Sequence, residues 1–167
     1  MEQELQELRD RVAKLENTSP SIPFEQPDLT PIQLLLFNKN IYLPVRASIY
    51  GTDAATAANY GNIFICASND SWEVVSITEV HGTAGSDGSA VTLSVEKCAS
   101  AVAPGSGVDL LSTAFNLKAT ADTPQYGSLT ATKRDLLLTK GDRLILKDTG
   151  TLADVADVNV SIILRRL

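Results

Sequence analysis

Apolar residues stand at Leu5, Leu8, Val12 and Leu15 in an otherwise charged N-terminal stretch, at spacings of three, four and three. That is the a/d seam of a heptad repeat, and it predicts a helix over residues 2–16. From about Ile32 the apolar period drops to two, the period of a strand with one buried face. WEVVSITEV (72–80) alternates, with Trp72, Val74, Ser76, Thr78 and Val80 on one face and Val75, Ile77 and Glu79 on the other. HGTAGSDGS (81–89) follows as a Gly-rich turn, and AVTLSVEKC (90–98) returns, so a long hairpin is expected. IYLPVRASIY (41–50), NIFICA (62–67), DLLSTAFNL (109–117), YGSLTAT (126–132), RDLLLT (134–139), DRLILK (142–147) and VADVNVSIILRRL (155–167) complete the set. Gly, Pro, Asp and Asn punctuate these runs at roughly ten-residue intervals, which predicts a mainly β, antiparallel sandwich or jelly-roll-like domain of about eight strands.

Between the two patterns lies NTSPSIPFEQPDLTP (17–31), with four prolines that favour an extended, semi-rigid connection. The expected organisation is a helix over 1–17, a Pro-rich arm over 18–40 and a β domain over 41–167. Within the arm, Ile32, Leu34, Leu36 and Phe37 of IQLLLF could add a strand to another chain's sheet edge. The same run could equally be the first strand of its own domain.

Two heptads are too short to hold a helix alone in water, so the seam must be covered. Either the helix packs on its own β domain, or copies of the chain associate through it. The charges favour association. With Leu5 and Val12 at a, Glu4 faces Arg9 of a parallel neighbour and Arg11 faces Glu16, each pair of opposite sign. Arg11, Val12, Leu15 and Glu16 also resemble a trimerisation signature of short coiled coils, Arg-apolar-x-x-apolar-Glu. That resemblance implies a trimer built on Leu5, Leu8, Arg11, Val12, Leu15 and Glu16.

The formal net charge is −6 and the hydrophobic share 44%. An acidic, globular composition argues against non-specific binding to nucleic acid or to anionic membranes. The N-terminal MEQELQELRDR lacks the apolar core of a secretory leader, and no run approaches a membrane span. A protein made and kept in the cytoplasm is expected. Cys66 and Cys98 sit in apolar strands without CxxC spacing and are expected to be buried, reduced thiols rather than a disulfide or a metal site.

Candidate chemistry is sparse. The lone histidine, His81, opens the Gly-rich turn and is expected to be exposed or to cap that turn. HGTAGSDGS lacks the Lys-Ser/Thr of a P-loop and joins two strands, so Gly82, Gly85 and Gly88 are expected to supply positive φ. Asp87 is not part of a DxDxDG calcium run. Asp148, Asp154 and Asp157 flank a loop between two strands, where solvated aspartates are expected. No GxSxG is present, the aromatics are scattered, and no row of them suggests sugar stacking. The expectation is a protein without catalytic site, metal or cofactor. A convergent pocket containing His81, Asp87 or the 148–157 aspartates would instead favour an enzyme.

EVVSITEVHGTAGSDGSAVTL (73–93), STAFNLKATADTPQYGSLTAT (112–132) and KGDRLILKDTGTLADVADVNVSIILRRL (140–167) resemble segments of β-rich virion proteins of tailed bacteriophages. The likeness lies in strand and turn phrasing over residues 60–167 and carries no catalytic signature. It implies a capsid decoration (cement) protein, a homotrimer on the outer surface of the phage head that binds the major capsid protein. The other readings are a trimeric fibre, spike or receptor-binding module, and a non-viral binding module or enzyme.

Overall fold

The computed structural model describes residues 41–52, 59–67, 69–152 and 154–167, the backbone alone at 50–52 and 59–61. The expected helix over 1–17 and the arm over 18–40 lie outside the described residues.

The described chain is mainly β and antiparallel. β1 (Tyr42–Thr52) pairs β10 (Ala156–Arg166), β10 pairs β3 (Trp72–Val80), and β3 carries two short strands, β7 (Gln125–Tyr126) and β8 (Leu137–Leu138). These form the first sheet. In the second, β2 (Asn59–Ile65) pairs β9 (Arg143–Thr149), β9 pairs β4 (Thr92–Cys98), and β4 carries β5 (Val108–Asp109) and β6 (Phe115–Asn116).

Alternation explains which side chains go inside. Along β10, Val158, Val160, Ile162 and Leu164 are buried, while Asp157 before them and Asn159 among them are exposed. They meet Val45, Val74 and Ile77 of the first sheet and Leu93, Val95, Leu144 and Leu146 of the second in one apolar cluster. Burying a side chain of this size contributes about 1.5–3 kcal/mol. Trp72 packs against the cluster, half-buried. Both cysteines are buried and free, as their apolar surroundings suggested.

Three expectations are corrected. The 72–80 and 90–98 strands do not form a hairpin, because β3 and β4 lie in different sheets and 81–91 crosses between them. Within β3 the period slips: Ser76 pairs Ile163 and Val74 pairs Leu164, leaving Val75 as the extra residue of a bulge. Val74, Ile77 and Glu79 therefore all turn inward. The third concerns the segments at 109–117, 126–132 and 134–139. The first pairs with β4 only at its ends, and its middle bridges from Leu111 to Leu129. Strand pairing in the second is confined to Gln125–Tyr126, and the third opens with a 3-10 turn, Lys133–Leu136. Short pieces shared between two partners do not announce themselves by period.

The glycines of 81–89 also differ from expectation. Among the described glycines positive φ falls at Gly105, Gly141 and Gly150. Gly82 and Gly85 serve close approach instead. A Cβ on Gly85 would lie 3.0 Å from Val155 Cγ2, and one on Gly82 3.2 Å from Asp157 Cβ. The 81–89 loop thus lies against the 150–157 loop, joined by Gly82 N–H to Ala156 O at 3.0 Å.

Candidate functional site

The six seam residues Leu5, Leu8, Arg11, Val12, Leu15 and Glu16, and the arm residues Ile32, Leu34, Leu36 and Phe37, lie outside the described residues. Polar residues of the two apposed loops are engaged in structural contacts. Ser86 Oγ donates to Asp154 Oδ2, and Lys118 donates to the Ser89 carbonyl at 3.2 Å and to that of Asp87. A hydrogen bond from Thr151 holds the Asp87 carboxyl below its ordinary value. Asp154 and Asp157 are exposed, as expected, but Asp148 is buried within β9. No cluster of three metal-ligating side chains occurs among the described residues.

His81 is the largest departure from expectation: it is fully buried. Its Nε2 lies 3.1 Å from the Ala119 carbonyl, which can only accept, so Nε2 carries a proton. Its Nδ1 lies 2.9 Å from Oε1 of Glu79, also fully buried. That contact holds one proton between ring and carboxyl, and the pair is neutral overall wherever the proton sits. Burial pushes the Glu79 carboxyl up from its ordinary value, with the hydrogen bond and charge of His81 and the hydrogen bond from Gln125 pulling it down. Gln125 Nε2 donates to Glu79 Oε2 at 2.6 Å and to the Asn116 carbonyl at 3.0 Å, while its Oε1 accepts from Asn116 N–H at 3.1 Å. Asp122 N–H closes the circuit onto the His81 carbonyl at 2.8 Å. The network pins the 117–124 crossing to the end of β3. Its role is structural.

The outer faces of the two sheets differ. On the second sheet, the 99–107 loop folds over Glu96 and Cys98. Gly105 N–H donates to Glu96 Oε2 at 2.9 Å, and Lys147 Nζ reaches Oε1 at 2.7 Å. The Glu96 hydrogen bond raises the Lys147 pKa. Arg143 donates to the Val102 carbonyl over the same face. Glu96 is thus a buried carboxylate fully supplied with donors, which holds the cover loop down.

The outer face of the first sheet carries no such cover among the described residues. Its register sets side chains in rows: Ser48, Asn159 and Val80 in one, and Arg46, Ser161, Thr78 and Tyr126 in the next. An open concavity of about 320 Å³ lies over these rows, with Pro124 also in its lining. Ser48 Oγ donates to Asn159 Oδ1 at 2.6 Å, and Asn159 Nδ2 donates to the Asp157 carbonyl at 3.1 Å. Arg46 and Tyr126 are exposed, Tyr126 by 83%. Sequence reading passed over this groove. Its signal was the polar half of the alternation in β1 and β10, but only the sheet order brings the two halves together.

The chain matches no known family model, no curated protein and no solved structure.

Proposed function

We propose that the chain is a homotrimeric structural protein of a tailed-phage virion. It is a capsid decoration protein that binds the major capsid protein and stabilises the head shell from outside, and it catalyses no reaction. The observation that carries this reading is the strand order, 1-10-3-7 in one sheet and 2-9-4-5 in the other. We read it as two interleaved Greek keys, a jelly-roll sandwich, an architecture used by viral capsid and lectin domains. The heptad seam and the virion-like phrasing of 73–93, 112–132 and 140–167 point the same way. Arg166 N–H donates to the Ile41 carbonyl at 2.9 Å, so the chain enters the β body beside its C-terminal strand. Three copies joined through their N-termini would bind a shell by several weak contacts at once, and avidity would exceed each single affinity.

A second reading, a trimeric fibre, spike or receptor-binding module, is favoured by one feature, the groove that no described residue covers, with Tyr126 at its edge. Antibody raised against the full chain separates the two on particles made from the genome that encodes it. The first reading predicts label distributed over the head, and the second predicts label at the tail or at isolated projections. Particles left unlabelled would contradict both.

A further inference from the structure

We propose that the groove on the outer face of the first sheet is a binding site for an acidic saccharide, a sugar that carries a carboxylate. This goes beyond the head-decoration reading and does not depend on it, since an outward-facing groove can hold a sugar whatever the β body is mounted on.

Three features of the groove select the ligand. The first is charge. The outer face presents two guanidinium groups, and they are not equivalent. Arg165 is taken by Glu73 on the neighbouring strand, whereas Arg46 has no ion-pair partner among the described residues. A free planar guanidinium offers a carboxylate two parallel N–H donors. Glu79 touches the groove but does not compete, because its carboxyl is buried on the other side of the sheet against His81 and Gln125. The second feature is hydroxyl-rich lining. The Thr78 and Ser161 hydroxyls stand beside Arg46 in one row, with Ser48 and Asn159 next to them. Such groups can donate or accept and suit the alternating demands of a polyol. Ser48 and the Asp157 carbonyl already fix the Asn159 amide, so that part of the site is preorganised. The third feature is the rim. Tyr126 pairs Thr78 at the end of the Arg46 row and stands almost wholly in solvent, so its ring is open to contact. Its flat apolar face suits the C–H face of a pyranose. The volume, about 320 Å³, is at the low end for a small-molecule site and fits one or two sugar rings.

A single cation on a chain of net charge −6 does not attract anions from a distance, so selectivity must arise in contact with Arg46. The full chain, labelled with ¹⁵N, is titrated with a disaccharide ending in glucuronate, with the matching disaccharide ending in glucose, and with inorganic phosphate. The expected result is saturable shifts at the amides of Arg46, Ser48, Thr78, Asn159 and Ser161 with the glucuronate sugar, and about tenfold weaker binding of the neutral sugar, the worth of one charge-assisted pair. Arg46→Gln should bring the acidic sugar down to the neutral sugar's affinity and leave the neutral sugar unchanged. Tyr126→Ala should weaken both sugars alike. Both residues are exposed, and unchanged amide positions elsewhere report that each variant is folded. Equal affinity for the two sugars, shifts outside the groove, no saturable shifts, or phosphate matching the acidic sugar would each overturn the assignment, the last by reducing it to an anion site.

Discussion

Replacing Glu79 with alanine is expected to destabilise the fold by about 3–5 kcal/mol, the scale seen when one partner of a buried polar pair is removed. The change leaves His81 Nδ1 without a partner at a fully buried position and a half-buried Gln125 N–H without its carboxylate. Each buried orphan costs about 1–3 kcal/mol. Glu79→Gln should cost far less, because every hydrogen bond can be kept. The new amide N–H donates to His81 Nδ1, and the new carbonyl accepts from Gln125. Comparing the natural chain with Glu79→Gln also isolates a pH dependence. The Glu79 carboxyl is raised above its ordinary 4.5 in the fold, so the folded chain holds that proton more tightly than the unfolded chain does. Its contribution is complete below the ordinary value and declines as pH rises through the folded value, by at most about 1.4 kcal/mol per pH unit for one proton. Denaturant unfolding across pH should therefore show the natural chain losing stability relative to Glu79→Gln as pH rises from 4.5. A difference that stays flat, or grows with pH, would show that the buried pair does not hold its proton as the geometry requires.

Gly150→Ala is expected to cost a comparable amount, for a reason of shape. Gly150 ends β9 with φ at +101°, and a Cβ there would sit 2.2 Å from the Ala90 carbonyl oxygen. Neither obstacle can be relieved by turning a side chain, because the neighbour is backbone leading into β4. Backbone strain of about 1–3 kcal/mol adds to an overpacking cost of similar size. The denaturant midpoint should fall with an unchanged slope. Gly88→Ala is the control, since a Cβ there meets nothing within 4 Å, and it should change stability by no more than about 0.5 kcal/mol. If the two variants unfold together, the close approach of Gly150 to Ala90 is not held as described.

The two glycines also mark where sequence reading succeeds and where it stops. Period-two alternation identified β1 and β10, because each buries one regular face; β4 and β9 were found as short apolar runs between turn residues, and they bury both faces at Leu93–Glu96 and Leu144–Leu146. Strand order was not readable. The 81–91 link, rich in Gly and Ser, looks like a hairpin turn, and only the packing of both sheets on one cluster shows it crossing between them. The Val75 bulge inverted half of β3 for the same reason, since one inserted residue is invisible to a pattern read along a single strand. His81 was misplaced because its burial depends on partners at positions 79, 119 and 125, brought together by crossings that leave no local trace. The groove was hidden in the same way, its rows drawn from four strands.

Both virion readings rest on three copies acting together through the N-terminal seam. Light scattering on the full chain, beside a version that begins at Ser19, measures this. A full-chain mass of about three times 17.8 kDa and a monomeric shorter version are the predicted pair of results. A full chain of 17.8 kDa in solution, or a shorter version that stays trimeric, would contradict the role given to Leu5, Leu8, Val12 and Leu15.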